Sequence, residues 1–191
     1  RTVRRIGIPG ANKGALHFIQ KGGGAFRDMG VHYLDSVWWL LGRPKPVSVL
    51  GVAGAKFGPR GQGYWMVDRQ PPASYYSQYA ADDYGGGFIR FDNGVGLHIE
   101  SFWASHHEEL GQVELFGTEA GAKLQPLTLY QTLNEQPVDL PIALPQKPTT
   151  SWDTLAGHFI DCILDGIPCE SPLRDGLEVQ RMMEALLLSG E

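Results

Sequence analysis

Three consecutive glycines, Gly22-Gly23-Gly24, precede Asp28, His32 and Asp35, which are spaced four and three residues apart. On a helix, residues at these spacings are neighbours, so two carboxylates and an imidazole meet one another. A carboxylate can fix the tautomer and orientation of an imidazole ring. Histidine is suited to moving a proton to or from a hydroxyl near neutral pH. The glycines let the backbone approach a ligand closely. They also open the helix N-terminus, where the first N–H groups lack partners within the helix. A purely structural reading stands beside this one, in which the polar set satisfies itself at a helix–loop contact. Metal ligation is a third reading. Metal sites usually recruit more imidazole or thiolate than this, and no metal is expected.

The element that must carry these residues runs from about residue 24 to 41. At ~100° per residue, Asp28, His32, Asp35 and Trp39 fall within a stripe of roughly 60°. Leu34, Val37, Trp38 and Leu41 lie opposite, and Val31, Met29, Tyr33 and Leu40 fill the flanks. The pattern predicts a buried helix whose narrow polar stripe lines a cleft or a polar network. Gly42 and Pro44 end it. Gly30 inside it costs about 1 kcal/mol relative to alanine and implies close packing. Lys13, His17 and Lys21 occupy the Gly-rich loop ahead of it, within reach of a substrate or of solvent.

Residues 2–8 read as a short strand, 47–56 as another, and 57–80 as a long irregular loop. That loop holds Tyr64, Trp65, Tyr75, Tyr76 and Tyr79, which suit stacking on a sugar or filling a subunit interface. Asp92-Asn93-Gly94 between alternating apolar runs predicts a hairpin. Val95, Leu97, Ile99, Ser101 and Trp103 share one of its faces, and Gly96, His98, Glu100 and Phe102 the other. His106-His107-Glu108-Glu109 does not converge on a metal, because adjacent strand residues point to opposite faces. Strands are expected over 112–116, 122–125, 127–133 and 138–142. Thr150 with Asp153 predicts a capping box for a helix that Gly166 and Pro168 stop. A last helix follows Pro172, with Val179, Met182, Met183 and Leu186 as its apolar stripe. The order predicts an α+β fold in which helices cover one face of a mostly antiparallel, open-faced sheet. The free face then meets water or a partner subunit.

The 191 residues are long enough for one sizeable core, and the chain reads as a single domain over 1–191. Hydrophobic residues make up 42% and charged residues 19%, an ordinary globular composition. With a net charge of -5 and no Lys/Arg run, nucleic acid is not an expected partner. No apolar run approaches the roughly 18 residues of a membrane span. Cys162 and Cys169 are too few for a disulfide framework and are expected as reduced thiols in the cytoplasm. The start, Arg1-Thr2-Val3-Arg4-Arg5-Ile6, has no initiator methionine or signal peptide and reads like the interior of a longer gene product.

Gly-Gly-Gly-x-x-x-Asp-x-Gly-x-His-x-x-Asp followed by x-x-x-Trp-Leu-Leu-Gly resembles the C-terminal domain of the glucose–fructose oxidoreductase / inositol dehydrogenase (Gfo/Idh/MocA) family. The resemblance continues in residues 45–49, in Asp82-Asp83-Tyr84 leading into 88–94, in 116–121 and in the closing helix. It implies hydride transfer between NAD or NADP and a secondary alcohol or carbonyl of a sugar, polyol or cyclitol. His32 would handle the hydroxyl proton, with Asp28 positioning the substrate and biasing that histidine. Asp35 would support from behind, and Gly22, Gly23 and Gly24 would lie near the cofactor. The family's N-terminal dinucleotide-binding domain and its Glu-Lys-Pro motif have no counterpart in this sequence, which contains no Gly-x-Gly-x-x-Gly. The fragment alone is therefore expected to be inactive. The resemblance also implies a homodimer or homotetramer through the open sheet face. A glycosidase using bound NAD, or a non-catalytic oligomerisation module, remain alternatives on the same fold.

Overall fold

The computed structural model describes residues 1–10, 15–65, 70–145 and 150–190. In chain order the strands are β1 (Thr2–Val3), β2 (Ile8–Pro9), β3 (Pro46–Gly54), β4 (Tyr64–Trp65), β5 (Tyr84–Phe91), β6 (Gly96–Phe102), β7 (Leu110–Gly111), β8 (Glu114–Phe116), β9 (Ala120–Leu124), β10 (Leu127–Leu133) and β11 (Gln136–Pro141). The α-helices are α1 (Leu16–Ile19), α2 (Val31–Leu40), α3 (Ala73–Tyr76), α4 (Ser151–Leu164) and α5 (Leu173–Ser189). The chain forms two compact units, Arg1–Val113 with Val179–Glu191 and Glu114–Glu178.

The first unit is built on a five-stranded sheet of order β3-β5-β6-β1-β7. The β5–β6 hairpin turns where Asn-Gly was expected to turn it. Gly94 takes φ 86°, and the Asn93 side chain accepts from the Val95 amide at 3.2 Å. Alternation then sends Ile89, Phe91 and Ile99 to one face. There they pack with Phe26, Leu34 and Trp38 and with Val179, Met182, Met183 and Leu186 of α5. The opposite face carries Leu50 (71% exposed), Val52 (54%) and Phe88 (46%). The α+β architecture with helices on one open-faced sheet is therefore present, with one parallel pair in that sheet, β1 with β6, and a second, β2 with β4, as a separate two-stranded sheet. Helix α5 lies hard against the edge strand. A Cβ on Gly51 would sit 1.8 Å from the Leu186 carbonyl oxygen, so only glycine admits this approach. The Gly51 amide donates to the Ser189 hydroxyl at 3.1 Å, which satisfies one edge-strand donor.

The second unit holds an antiparallel sheet of order β11-β10-β9-β8. Helix α4 begins with the predicted capping box. Thr150 Oγ1 accepts from the Asp153 amide at 3.1 Å, and Asp153 Oδ2 accepts from the Thr150 amide at 3.1 Å. Its apolar residues Trp152, Leu155, Phe159 and Ile163 are exposed.

Several elements differ from expectation. The single strand over 2–8 is two, β1 and β2, with Ile6 between them 57% exposed. The strand over 112–116 shortens to β8, and β7 forms separately just before it. The loops over 9–23 and 57–80 contain α1, β4, α3 and a 3₁₀ turn at Gly58–Arg60. The site helix is not buried all round. Leu34, Val37 and Trp38 are buried, whereas His32, Asp35, Trp39 and Leu40 face out. It also opens with a π-helical turn, Phe26–Gly30, before α2.

Two adjacent carboxylates hold these parts together. Asp83 is fully buried and accepts from the amides of Lys56 (2.8 Å), Phe57 (2.7 Å) and Gly58 (2.9 Å). It thereby folds the start of the aromatic loop onto the sheet. Asp82 turns the other way, to the site helix described below. Asp83→Ala strands three amides, each worth about 1–3 kcal/mol when left unsatisfied. We expect a loss of at least ~3 kcal/mol in urea unfolding and a smaller loss for Asp83→Asn, which keeps an acceptor oxygen. Equal losses for the two variants would show that the amides are not what Asp83 secures.

Candidate active site

The site is built around the π-helical turn. Gly24 enters it at φ +115°, and a Cβ there would sit 2.0 Å from Asp82 Oδ1. Glycine is required on both counts. Asp82 caps the turn: its Oδ2 accepts from the Phe26 amide at 2.9 Å and its carbonyl from the Ala25 amide at 3.0 Å. Burial pushes the Asp82 carboxyl above its ordinary range, and the Phe26 amide works against that rise. Tyr79 donates to the Asp82 carbonyl at 3.3 Å, and burial raises its phenol strongly. Arg27 in the same turn forks onto Glu184 of α5, with Nη2 at 2.9 Å from both carboxylate oxygens. The turn is thus clamped from the sheet side and from the helix side.

Asp28 sits in the middle of this turn. Trp103, fully buried at the end of the hairpin, donates its Nε1–H to Asp28 Oδ2 at 2.9 Å. An i→i+5 turn winds more than four residues per revolution, so Asp28 and His32 are not stacked as on an α-helix. Among the described residues no hydrogen bond or ion pair joins His32 to Asp28 or to Asp35. The expected direct contact within the stripe is therefore not formed. Both Asp28 and His32 instead line one cavity of about 520 Å³.

That cavity gathers some of the expected residues and leaves others out. His17 of α1 lines it with Asp28 and His32. Asp35 and Lys21 are exposed elsewhere, and Gly22, Gly23 and Gly24 lie behind the turn rather than on the cavity wall. Lys13 lies outside the described residues. The structure adds Arg4 from the segment after β1, Trp65 from β4, and the apolar Phe18 and Met29. Of the aromatic loop, Trp65 reaches the cavity at 49% exposure, while Tyr64 and Tyr75 are core residues in edge contact at 5.9 Å. The spacing rules had no means of finding Arg4, because it reaches the cavity through the pairing of β1 with β6, a contact about 100 residues away in sequence. Trp103 was legible as sharing a hairpin face with Ile99 and Ser101, though its bond to Asp28 was not. Near the sheet, His98 approaches Glu100 at 3.7 Å and His106 packs edge-on against Phe57. No metal-ligand grouping forms there among the described residues.

Chemically, the cavity offers an imidazole open to a ligand, a carboxylate held on one oxygen, a guanidinium and an indole face. This set suits a neutral, hydroxyl-rich molecule. Carboxylate and imidazole take its hydroxyls, and the indole takes an apolar ring face.

A family model described as the GFO/IDH/MocA C-terminal domain matches residues 8–123. D-glucoside 3-dehydrogenase of Escherichia coli (strain K12) is 30% identical over 201 residues, covering 100% of this chain and 53% of that protein. The chain thus spans about half the length of this relative. Among solved structures, the aldose-aldose oxidoreductase from Caulobacter crescentus superposes with a TM-score of 0.71 at 19% identity, covering 99% of this chain and 52% of that one. The UDP-N-acetylglucosamine 3-dehydrogenase from Acidithiobacillus ferrooxidans gives 0.61 at 16% identity, over 86% of this chain and 46% of that one. These two show the same fold. With the family model covering more than half of its residues, the chain belongs to the Gfo/Idh/MocA family, whose members include sugar and polyol oxidoreductases.

Proposed function

We propose that this chain is the substrate-binding and catalytic domain of a cytoplasmic NAD- or NADP-dependent dehydrogenase acting on a secondary alcohol or carbonyl of a sugar, polyol or cyclitol. One observation carries the reading: Asp28 and His32 line a single cavity, and Trp103 holds Asp28 by its Oδ2. The described residues do not form a cradle for a dinucleotide. Their sheets are mixed or antiparallel rather than doubly wound, and the sequence has no Gly-rich phosphate loop. We infer that the nicotinamide cofactor is held mainly by a dinucleotide-binding domain outside this chain, and it would supply the hydride chemistry. The fragment alone does not turn over.

Within the cavity, His32 takes the proton of the reacting hydroxyl during oxidation and returns it during reduction. Asp28 accepts from a substrate hydroxyl. Because the Trp103 indole already occupies Oδ2, that carboxylate presents a fixed orientation rather than a rotating one. Met29 and Trp65 supply apolar surface against the ring, and Arg4 and His17 complete the polar rim.

With the full-length protein, a panel of sugars and polyols scored by NAD(P)H absorbance is the direct test. His32→Ala is expected to reduce kcat by roughly 10²-fold or more with the circular dichroism spectrum unchanged. Unchanged turnover would remove His32 from the mechanism. Trp103→Phe deletes one hydrogen bond to a charged group, so we expect about a tenfold loss in kcat/KM, mostly in KM.

The open face of the first sheet supports a homo-oligomer. Leu50, Val52 and Phe88 stand exposed on registered positions of β3 and β5, where Leu50 pairs with Phe88. Buried in a self-complementary interface, they would hide an apolar strip that water otherwise covers. Leu50→Lys is expected to shift a dimer or tetramer to monomer in sedimentation analysis. A wild-type protein that sediments as a monomer rules this interface out.

A further inference from the structure

His158, Cys162 and Cys169 lie in the second unit, and the cavity uses none of them. His158 and Cys162 are four residues apart on α4, on one face of the helix. The helix then ends, Gly166 turns the chain at φ 66°, and Cys169 comes back to the same spot. One donor atom from each residue lies within 4.8 Å of the other two. Cys162 Sγ stands 3.5 Å from His158 Nε2. For a tetrahedral zinc ion with Zn–S near 2.3 Å and Zn–N near 2.05 Å, the sulfur–nitrogen separation comes out at about 3.6 Å. The spacing of this pair therefore suits two ligands of one metal.

The protonation state of the imidazole agrees. His158 Nε2 accepts from the backbone amide of Glu170 at 3.1 Å, so Nε2 is the unprotonated nitrogen, as ligation requires. Both cysteines are free, and two thiols with an imidazole on a short helix–turn segment form a soft donor set.

We propose that His158, Cys162 and Cys169 form a binding site for a zinc-like divalent cation, which clasps the last turns of α4 to the connection into α5. The set is Cys₂His with a solvent-facing fourth position, since Cys169 is exposed. The metal joins residues 158 and 169 across the helix end, so its binding stiffens a turn that the Glu170 amide also ties to His158. On binding, that amide gives up Nε2 to the ion, and the two thiols release their protons. The separation of the two cysteines in sequence matches no common ligand pattern. The turn at Gly166 supplies the missing geometry.

Cobalt(II) is the probe. The full chain, reduced and freed of metal, is titrated with Co²⁺ and followed by absorption. We expect one equivalent to bind, with a thiolate-to-cobalt charge-transfer band, visible d–d bands of tetrahedral intensity, and displacement by Zn²⁺. Cys162→Ser and Cys169→Ser should each weaken binding beyond the roughly 10–100-fold that loss of a supporting group costs. His158→Ala should weaken it too, while His98→Ala leaves it unchanged. Circular dichroism of each variant confirms that the helices persist. Absence of the charge-transfer band in the reduced chain overturns the proposal. So does a band that survives both serine substitutions, or a pair of cysteines that isolates as a disulfide and binds no cobalt after reduction.

Discussion

Two adjacent carboxylates with opposite allegiances set the position of nearly everything around the cavity. Asp83 is buried and gathers the amides of Lys56, Phe57 and Gly58, which folds the aromatic segment onto the sheet. Asp82 points the other way and caps the turn that carries Asp28. On a strand, neighbouring side chains leave from opposite faces, so one dipeptide at the mouth of β5 can hold two separate segments. The cost is the burial of negative charge, and it shows in the raised carboxyl of Asp82. Backbone amides offset that cost on both sides. Gly24 has to be glycine because the Asp82 carboxylate fills the space a Cβ would take. Gly24 thus serves the cap.

Elements whose signals are local were legible in the sequence. The Asn-Gly hairpin, the capping box at Thr150 and the apolar stripe of α5 each depend on residues within about one turn of one another, and each formed as read. Elements defined by distant pairing were not legible. The division of residues 2–8 arises because β1 pairs with β6 while β2 pairs with β4, two different sheets. A π-helical turn leaves no trace in a 3.6-residue periodicity. It nevertheless moves Asp28 off the stripe predicted for it.

The same division holds for the site. Asp28 and His32 were found from residue type and spacing, and both reach the cavity. Their relationship differed: the imidazole and carboxylate share a cavity rather than a hydrogen bond, and the carboxylate's partner is an indole. The helix had been read as buried because its residues are apolar nearly all round. Trp39 at 53% and Leu40 at 43% exposure show that apolar flanks do not require burial within this chain. Asp35 lies beside them on the exposed surface, which removes it from the cavity but keeps it on the same helix.

The exposure of His32 bears on how the cavity works. The proposed hydride and proton transfer needs a site from which water is excluded, because fixed dipoles act strongly only at low dielectric. Here the imidazole and the Trp65 indole both remain open to solvent, whereas Asp28 and Trp103 behind them are packed. The packed layer is what must not move, since it sets the orientation of the carboxylate. The open layer is what a ligand has to meet and cover. A substrate seated on Trp65 and Met29 would exclude water from one side of His32 by itself. The division follows from the folding: Trp103, which orients Asp28, is built into the core with Ile8, Ile19, Ala25 and Tyr64, and His32 is left exposed at the cavity.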